Sequence, residues 1–274
     1  VLSLMLAASL GAAASVCDRS ELPQCLQRLP RPLVSAFSEH WQLPPEELAV
    51  TFSQQLAGQG AVTLTLDNQA LILTDARRIS QPHILLVGHK VYERPSVHSL
   101  SLALLHERGH LVEISESFRQ PFRFAYWPAL WEEEVIADLH ALWLLARQDR
   151  LQQGWNLVHL RNFNLMGAAQ DWAHWTTPVL LPWLLSSERG VQLAQLSFEQ
   201  VLTQSVIPVS DLPHFRTLGR RQFGPGRGAY PYVPPRLVER WWQMLSPSLA
   251  LLMGDDFGGY RLHHHRLMLV NSAN

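Results

Sequence analysis

The segment His106-Glu107-Arg108-Gly109-His110 places two imidazoles four positions apart, with a carboxylate directly after the first. On an α-helix, positions i and i+4 share a face, so His106 and His110 can present ring nitrogens to one ion. Glu107 points away from that direction and can reach a water held by the same ion and take its proton. Zinc suits such a pair of imidazoles and lowers the pKa of a bound water toward ~7, where a carboxylate base is effective. The expected roles are therefore His106 and His110 as metal ligands, Glu107 as general base, and one Zn2+ per chain. The 13 histidines in 274 residues agree with metal chemistry without requiring it.

A catalytic zinc site needs a third protein ligand and one position left open. The downstream run Trp131-Glu132-Glu133-Glu134-Val135-Ile136-Ala137-Asp138 offers three acids of the right type. Taken with the H-E-x-x-H, Glu134-Val135-Ile136-Ala137-Asp138 resembles the gluzincin metallopeptidases, in which a second helix supplies a glutamate within E-x-x-x-D. The E-x-x-A-D form is similar to that of the CAAX-prenyl endopeptidases and their bacterial quality-control relatives. The resemblance implies Glu134 as third ligand, 134 − 110 = 24 residues beyond the second histidine. It also implies that Asp138 bonds a ligand imidazole, that of His106, and fixes its tautomer. Of the three acids only Glu134 has an Asp four residues on; Glu132 and Glu133 read as a favourable acidic helix start.

The resemblance covers Leu100 to Leu144. The prenyl endopeptidases span the membrane several times, and this chain lacks an apolar run of the ~20 residues a span requires. The zinc site is carried over and the substrate is not. Gluzincins add a His or Tyr donor to stabilise the oxyanion, which implies a residue from the C-terminal half. His159, His174, His214, Tyr230 and Tyr232 are the candidates, and spacing does not choose among them. Tyr230 and Tyr232 fall in a Pro-, Gly- and Arg-rich stretch at 208–236 that reads as a long loop and potential lid.

These groups need elements to position them. Residues 21–58 read as helical, broken by Pro30, Pro32, Pro44 and Pro45. Ala61–Leu66, a turn at Asp67-Asn68-Gln69 and Ala70–Thr74 read as a hairpin, and His83–Val91 as a third strand, giving a small sheet at about 61–92. A helix capped by Ser96 or Ser99 is expected over 97–113 and a second over Trp131–Gln152. His98 stands about two turns before His106, ~12 Å along a continuous helix, and so outside the site. More helices follow from 154 to 206, and the apolar Pro178–Leu185 run reads as core. Another helix is expected at Trp241–Met253, with His263-His264-His265 in a solvated tail.

The net charge of −1 and pI near 7.0 leave no basic excess to neutralise phosphates, so no nucleic-acid partner is expected. The opening VLSLMLAASLGAAAS is too short to span a membrane and reads as a signal peptide over residues 1–15, with Ala12 and Ala14 at its cleavage region. Cys17 and Cys25 follow directly. In an exported chain they point to one disulfide; the alternative is two free thiols in a cytoplasmic protein. The expectation is an α+β, zincin-like domain over 16–274, with a small N-terminal sheet, active-site helices at about 97–152 and a helical half at 153–274. It would be periplasmic or secreted, with no membrane span in the mature chain. The expected activity is zinc-dependent hydrolysis of a peptide or protein. The alternatives are a zinc hydrolase of a non-peptide amide, and a non-catalytic binding protein that keeps the fold, against which the intact Glu107 speaks.

Overall fold

The computed structural model describes residues 14–66, 69–167, 170–224 and 231–270. Most of the signal-like segment, the Asp67-Asn68 turn and Tyr230 lie outside the described residues. The architecture is α+β, with small sheets in the N-terminal part and a mostly helical remainder.

The chain enters through β1 (Ser15–Asp18), followed by α1 (Leu22–Arg28), α2 (Arg31–Trp41) and α3 (Leu48–Gln55). Proline sits in the first turn of α1 and of α2, where no donor is lost. Then come β2 (Ala61–Leu66) and β3 (Gln69–Thr74), antiparallel, with Ala61 opposite Thr74 and Leu66 opposite Gln69. β1 adds parallel to the other edge of β3, giving the order β1-β3-β2. Leu71 and Leu73 of β3 bury with Leu48, Phe52 and Phe37 of the first helices. A disulfide joins Cys17 to Cys25, tying β1 to α1.

β1 is absent from the sequence-based expectation. A four-residue strand has too few alternations to show a period, and its partner is about as far along the chain as Val16 is from Ile72. The expected single strand at His83–Val91 is instead a hairpin of β4 (His83–Val87) and β5 (Lys90–Arg94), preceded by the short α4 (Ala76–Ile79). Gly88 turns it with φ of +65°, a conformation that glycine adopts without strain. Leu85 and Val87 face the core, while Ile84, Leu86 and Val91 face outward.

Next are α5 (Leu100–Gly109), α6 (Glu116–Arg119), α7 (Trp131–Arg147) and α8 (Gly154–Met166). α5 is shorter than the expected 97–113. Ser99 caps it, its hydroxyl accepting from Leu102 N–H at 3.2 Å, so His98 precedes the helix. α7 likewise stops at Arg147, short of Gln152. α9 (Thr177–Leu184) holds the apolar run, largely buried. α10 (Ser187–Gln195) and α11 (Phe198–Gln204) pack beside α7.

α12 (Leu212–Phe223) corrects the reading of 208–236 as one long loop. Its Pro213 lies in the first turn, and Leu212, Phe215, Leu218 and Gln222 form a buried face. α13 (Pro235–Met253) and α14 (Phe257–Val270) complete the chain. The three histidines at 263–265, read as a solvated tail, lie in this last helix, with His263 exposed. Trp131, Trp175, Trp183, Trp241 and Trp242 are fully buried in the helical core. Among the described residues no helix is long and apolar enough to cross a membrane.

Candidate metal centre

α5 and α7 cross at close range, and a small residue on each permits it. A Cβ on Gly109 would stand 2.4 Å from Cα of Ala137 and 2.6 Å from its carbonyl oxygen. Glycine at that point lets α7 approach until its first turns lie over His106 and His110. Trp131 anchors the start of α7: it is fully buried, and its indole N–H donates to the Trp175 carbonyl at 2.9 Å.

This crossing gathers His106, His110 and Glu134 into one group whose ligand atoms all lie within 4.8 Å of one another. His106 Nε2 is 3.2 Å from His110 Nε2 and 3.4 Å from Glu134 Oε2, and His110 Nε2 is 3.6 Å from Glu134 Oε1. Ligands at about 2.0–2.1 Å around a tetrahedral ion are separated by roughly 3.3 Å, so the two imidazole nitrogens are spaced as a metal requires, with one carboxylate oxygen of Glu134 near each. The two nitrogens and the carboxylate could hold a metal ion. Burial, and then the neighbouring His106, hold His110 down to about 4, so its ring is neutral near pH 7 and ready to donate its lone pair.

Behind this triangle Asp138 is fully buried and accepts from four donors. Its Oδ1 takes His106 Nδ1–H at 2.7 Å and Arg161 Nη2 at 2.7 Å. Its Oδ2 takes Arg161 Nε at 2.7 Å and the Thr176 hydroxyl at 2.5 Å. Burial alone would push the acid up, but the charges of Arg161 and His106 outweigh it and hold Asp138 well below the ordinary carboxylate range. An ionised Asp138 places the proton of His106 on Nδ1 and turns Nε2 toward Glu134.

Glu107 is buried in the same cleft. Thr63 of β2 donates to its Oε2 at 2.7 Å and lies 3.0 Å from its backbone carbonyl. Burial raises the Glu107 carboxyl above its usual value, with the charge of His106 and the Thr63 bond opposing. The cleft around these groups has a volume of about 900 Å³. Residues of β2 and β4, Ile79, His98, the start of α7 and Arg161 line it. β2 is the outer strand of its sheet, so on the side away from β3 it has no strand partner among the described residues.

Of the proposed oxyanion donors, His174 lines this cleft. Its Nε2 is 3.4 Å from Glu134 Oε1 and its Nδ1 is 2.7 Å from Asp171 Oδ2. Burial pulls the His174 ring down, but the Asp171 bond and the Glu134 charge more than offset it and raise the pKa. His174 is not one of the three residues whose ligand atoms are mutually close. His159 instead bonds Ser248 at 2.9 Å, and Tyr232 is exposed and does not line the cleft. His214 does not line it either, and Tyr230 lies outside the described residues. His98, set aside on the assumption of a continuous helix, does line the cleft.

The three consecutive acids separate by environment. Glu132 turns away, is buried and pairs with Arg119 and Arg123. Glu133 is exposed at the cleft mouth, and Glu134 alone joins the histidines. Thr63, Arg161 and Asp171 line the same cleft, and sequence reasoning missed them. Each is an ordinary residue in its own segment, with no spacing that ties it to the motif. No protein-family model matches this chain, and neither a curated protein nor a solved structure matches it.

Proposed function

We propose that this chain is a zinc-dependent peptidase of gluzincin type, with a zincin-like arrangement of sheet, motif helix and glutamate helix. The observation that carries the reading is the ligand triangle of His106, His110 and Glu134 with the Glu107 carboxylate beside it in one cleft. Zinc fits the donor set of two imidazoles and one carboxylate, and when bound it supplies Lewis acidity and an acidified water. The chain's own groups then have separate tasks. Glu107, one oxygen held by Thr63, offers the other to take a proton from the attacking water and to return it to the leaving amine. His174, oriented by Asp171, offers Nε2–H to the developing oxyanion. The unpartnered edge of β2 supports an extended peptide as substrate, since its free backbone groups can pair with another strand. Work in an oxidising compartment, periplasmic or extracellular, belongs to the same proposal and is supported by the Cys17–Cys25 disulfide.

The deciding experiment measures bound zinc and cleavage of a mixed peptide library. Wild type should carry about one zinc and cut peptides; Glu134→Ala should lose the metal. Glu107→Gln should keep the metal and lose cleavage by ~10²-fold or more. Zinc-loaded wild type that cuts no peptide would end the peptidase reading and leave a metal-binding protein.

A further inference from the structure

Arg161 is buried beside the site and contacts three of its residues, Asp138, Glu134 and His106. Its Nε and Nη2 clasp both oxygens of Asp138 at 2.7 Å each. The same Nη2 lies 3.3 Å from Glu134 Oε2 and 3.4 Å from His106 Nε2. It also lies 3.1 Å from His106 Nδ1, and so stands at the edge of the ligand group. Asn162, the next residue, locks α8 in place. Its amide donates to the Met244 carbonyl at 2.9 Å and the Ser248 hydroxyl at 2.8 Å, and its oxygen accepts from Trp175 and Thr177. The guanidinium is therefore held where two buried carboxylates meet. Without a cation, two such carboxylates would repel in a medium that screens poorly.

We propose that Arg161 is a positioning residue for the metal ligands: it is the resident counter-ion that holds Glu134 directly, and His106 through Asp138, in place before metal arrives. The site is then preformed, and the chain folds without its metal, unlike small metal domains whose folding is driven by the ion. Arg161 and the metal would then share one task at Glu134, balancing its charge. This inference rests on the metal-centre reading above.

The test compares thermal midpoints of the full chain, chelator-treated and with zinc sulfate, for wild type, Arg161→Met and Arg161→Lys. Wild type should be folded without metal. Arg161→Met should lose stability without metal and regain much of it with zinc, so that its zinc-induced shift exceeds that of wild type by about 5 °C or more. Arg161→Lys, which keeps the charge and loses the fork, should fall between the two. Equal loss in the metal-free and zinc-loaded forms would overturn the proposal and make Arg161 an ordinary structural ion. If Arg161→Met does not fold without metal, Arg161→Met combined with Asp138→Asn decides. Recovery of the metal-free fold supports the counter-ion role, and continued unfolding overturns it in favour of packing. If zinc shifts no midpoint, wild type included, the metal-centre reading itself fails, a result distinct from equal shifts in all three proteins.

Discussion

Gly109 lies against Ala137 so closely that no side chain fits between α5 and α7: a Cβ there would come within 2.4 Å of Ala137 Cα. The contact joins the two halves of the metal centre, since Gly109 sits directly before His110 and Ala137 directly before Asp138. Gly109→Ala should therefore push the helices apart. The backbone atoms of Ala137 cannot rotate away, so the expected cost is at least the ~1–3 kcal/mol of an overpacked core. Zinc affinity should fall with stability, because His110 and Glu134 separate. A melting curve and a zinc titration of the same variant check this; an unchanged affinity would mean that the crossing does not set the ligand geometry.

Thr63→Val removes the hydroxyl that holds one oxygen of Glu107. Zinc content should stay at the wild-type level, while kcat for peptide cleavage falls by roughly 10-fold, in line with a hydrogen bond to a charged group. That bond stabilises the ionised carboxylate and opposes the upward pull of burial. Its loss should move the acid limb of the pH–rate profile to higher pH. Thr63→Ser should restore both quantities, and a failure of serine to do so would count against the bond.

His174 and Asp171 should act as a pair. His174→Ala is expected to lower kcat by about 10²-fold, the scale of a lost oxyanion donor, with KM and zinc content little changed. Asp171→Asn should give a smaller loss in the same parameter. If His174→Ala instead strips zinc, the ring is a metal ligand and the oxyanion role is wrong.

Two histidines away from the ligand triangle make stability depend on pH. Burial, and then the charge of Arg108, push His140 down to about 4; burial, and then Arg94, do the same to His159. Both folded-state values lie below the unfolded value of about 6.5. Between these limits the unfolded chain binds more protons, so stability is full above about pH 6.5 and falls as the pH drops toward 4. Urea titrations of metal-free protein should show a lower midpoint at pH 4.5 than at pH 6, where the opposing contribution of the raised His174 is already complete. A midpoint constant across this window would show that neither ring is held neutral.

His106, Glu107 and His110 were legible in the sequence because their relationship is local: helix geometry alone puts residues four apart on one face. The β2–β3 hairpin and the pairing of Cys17 with Cys25 were legible for the same reason, each joining nearby segments. α12 carried a readable signal too, the spacing of Leu212, Phe215, Leu218 and Gln222, but the prolines and glycines around it dominated the reading. What only the tertiary structure decided is which distant groups meet. Glu134 was already preferred over Glu132 and Glu133 by the Asp four residues on, and the structure adds where the others go: Glu132 turns to Arg119 and Arg123 while Glu134 meets the histidines. It brought Thr63, Arg161 and Asp171 to the cleft from a strand edge, a helix and a loop. Such contacts span many residues of chain, and long-range packing leaves no period in sequence. Buried charge requires a partner, but which partner it finds is settled by how the helices cross.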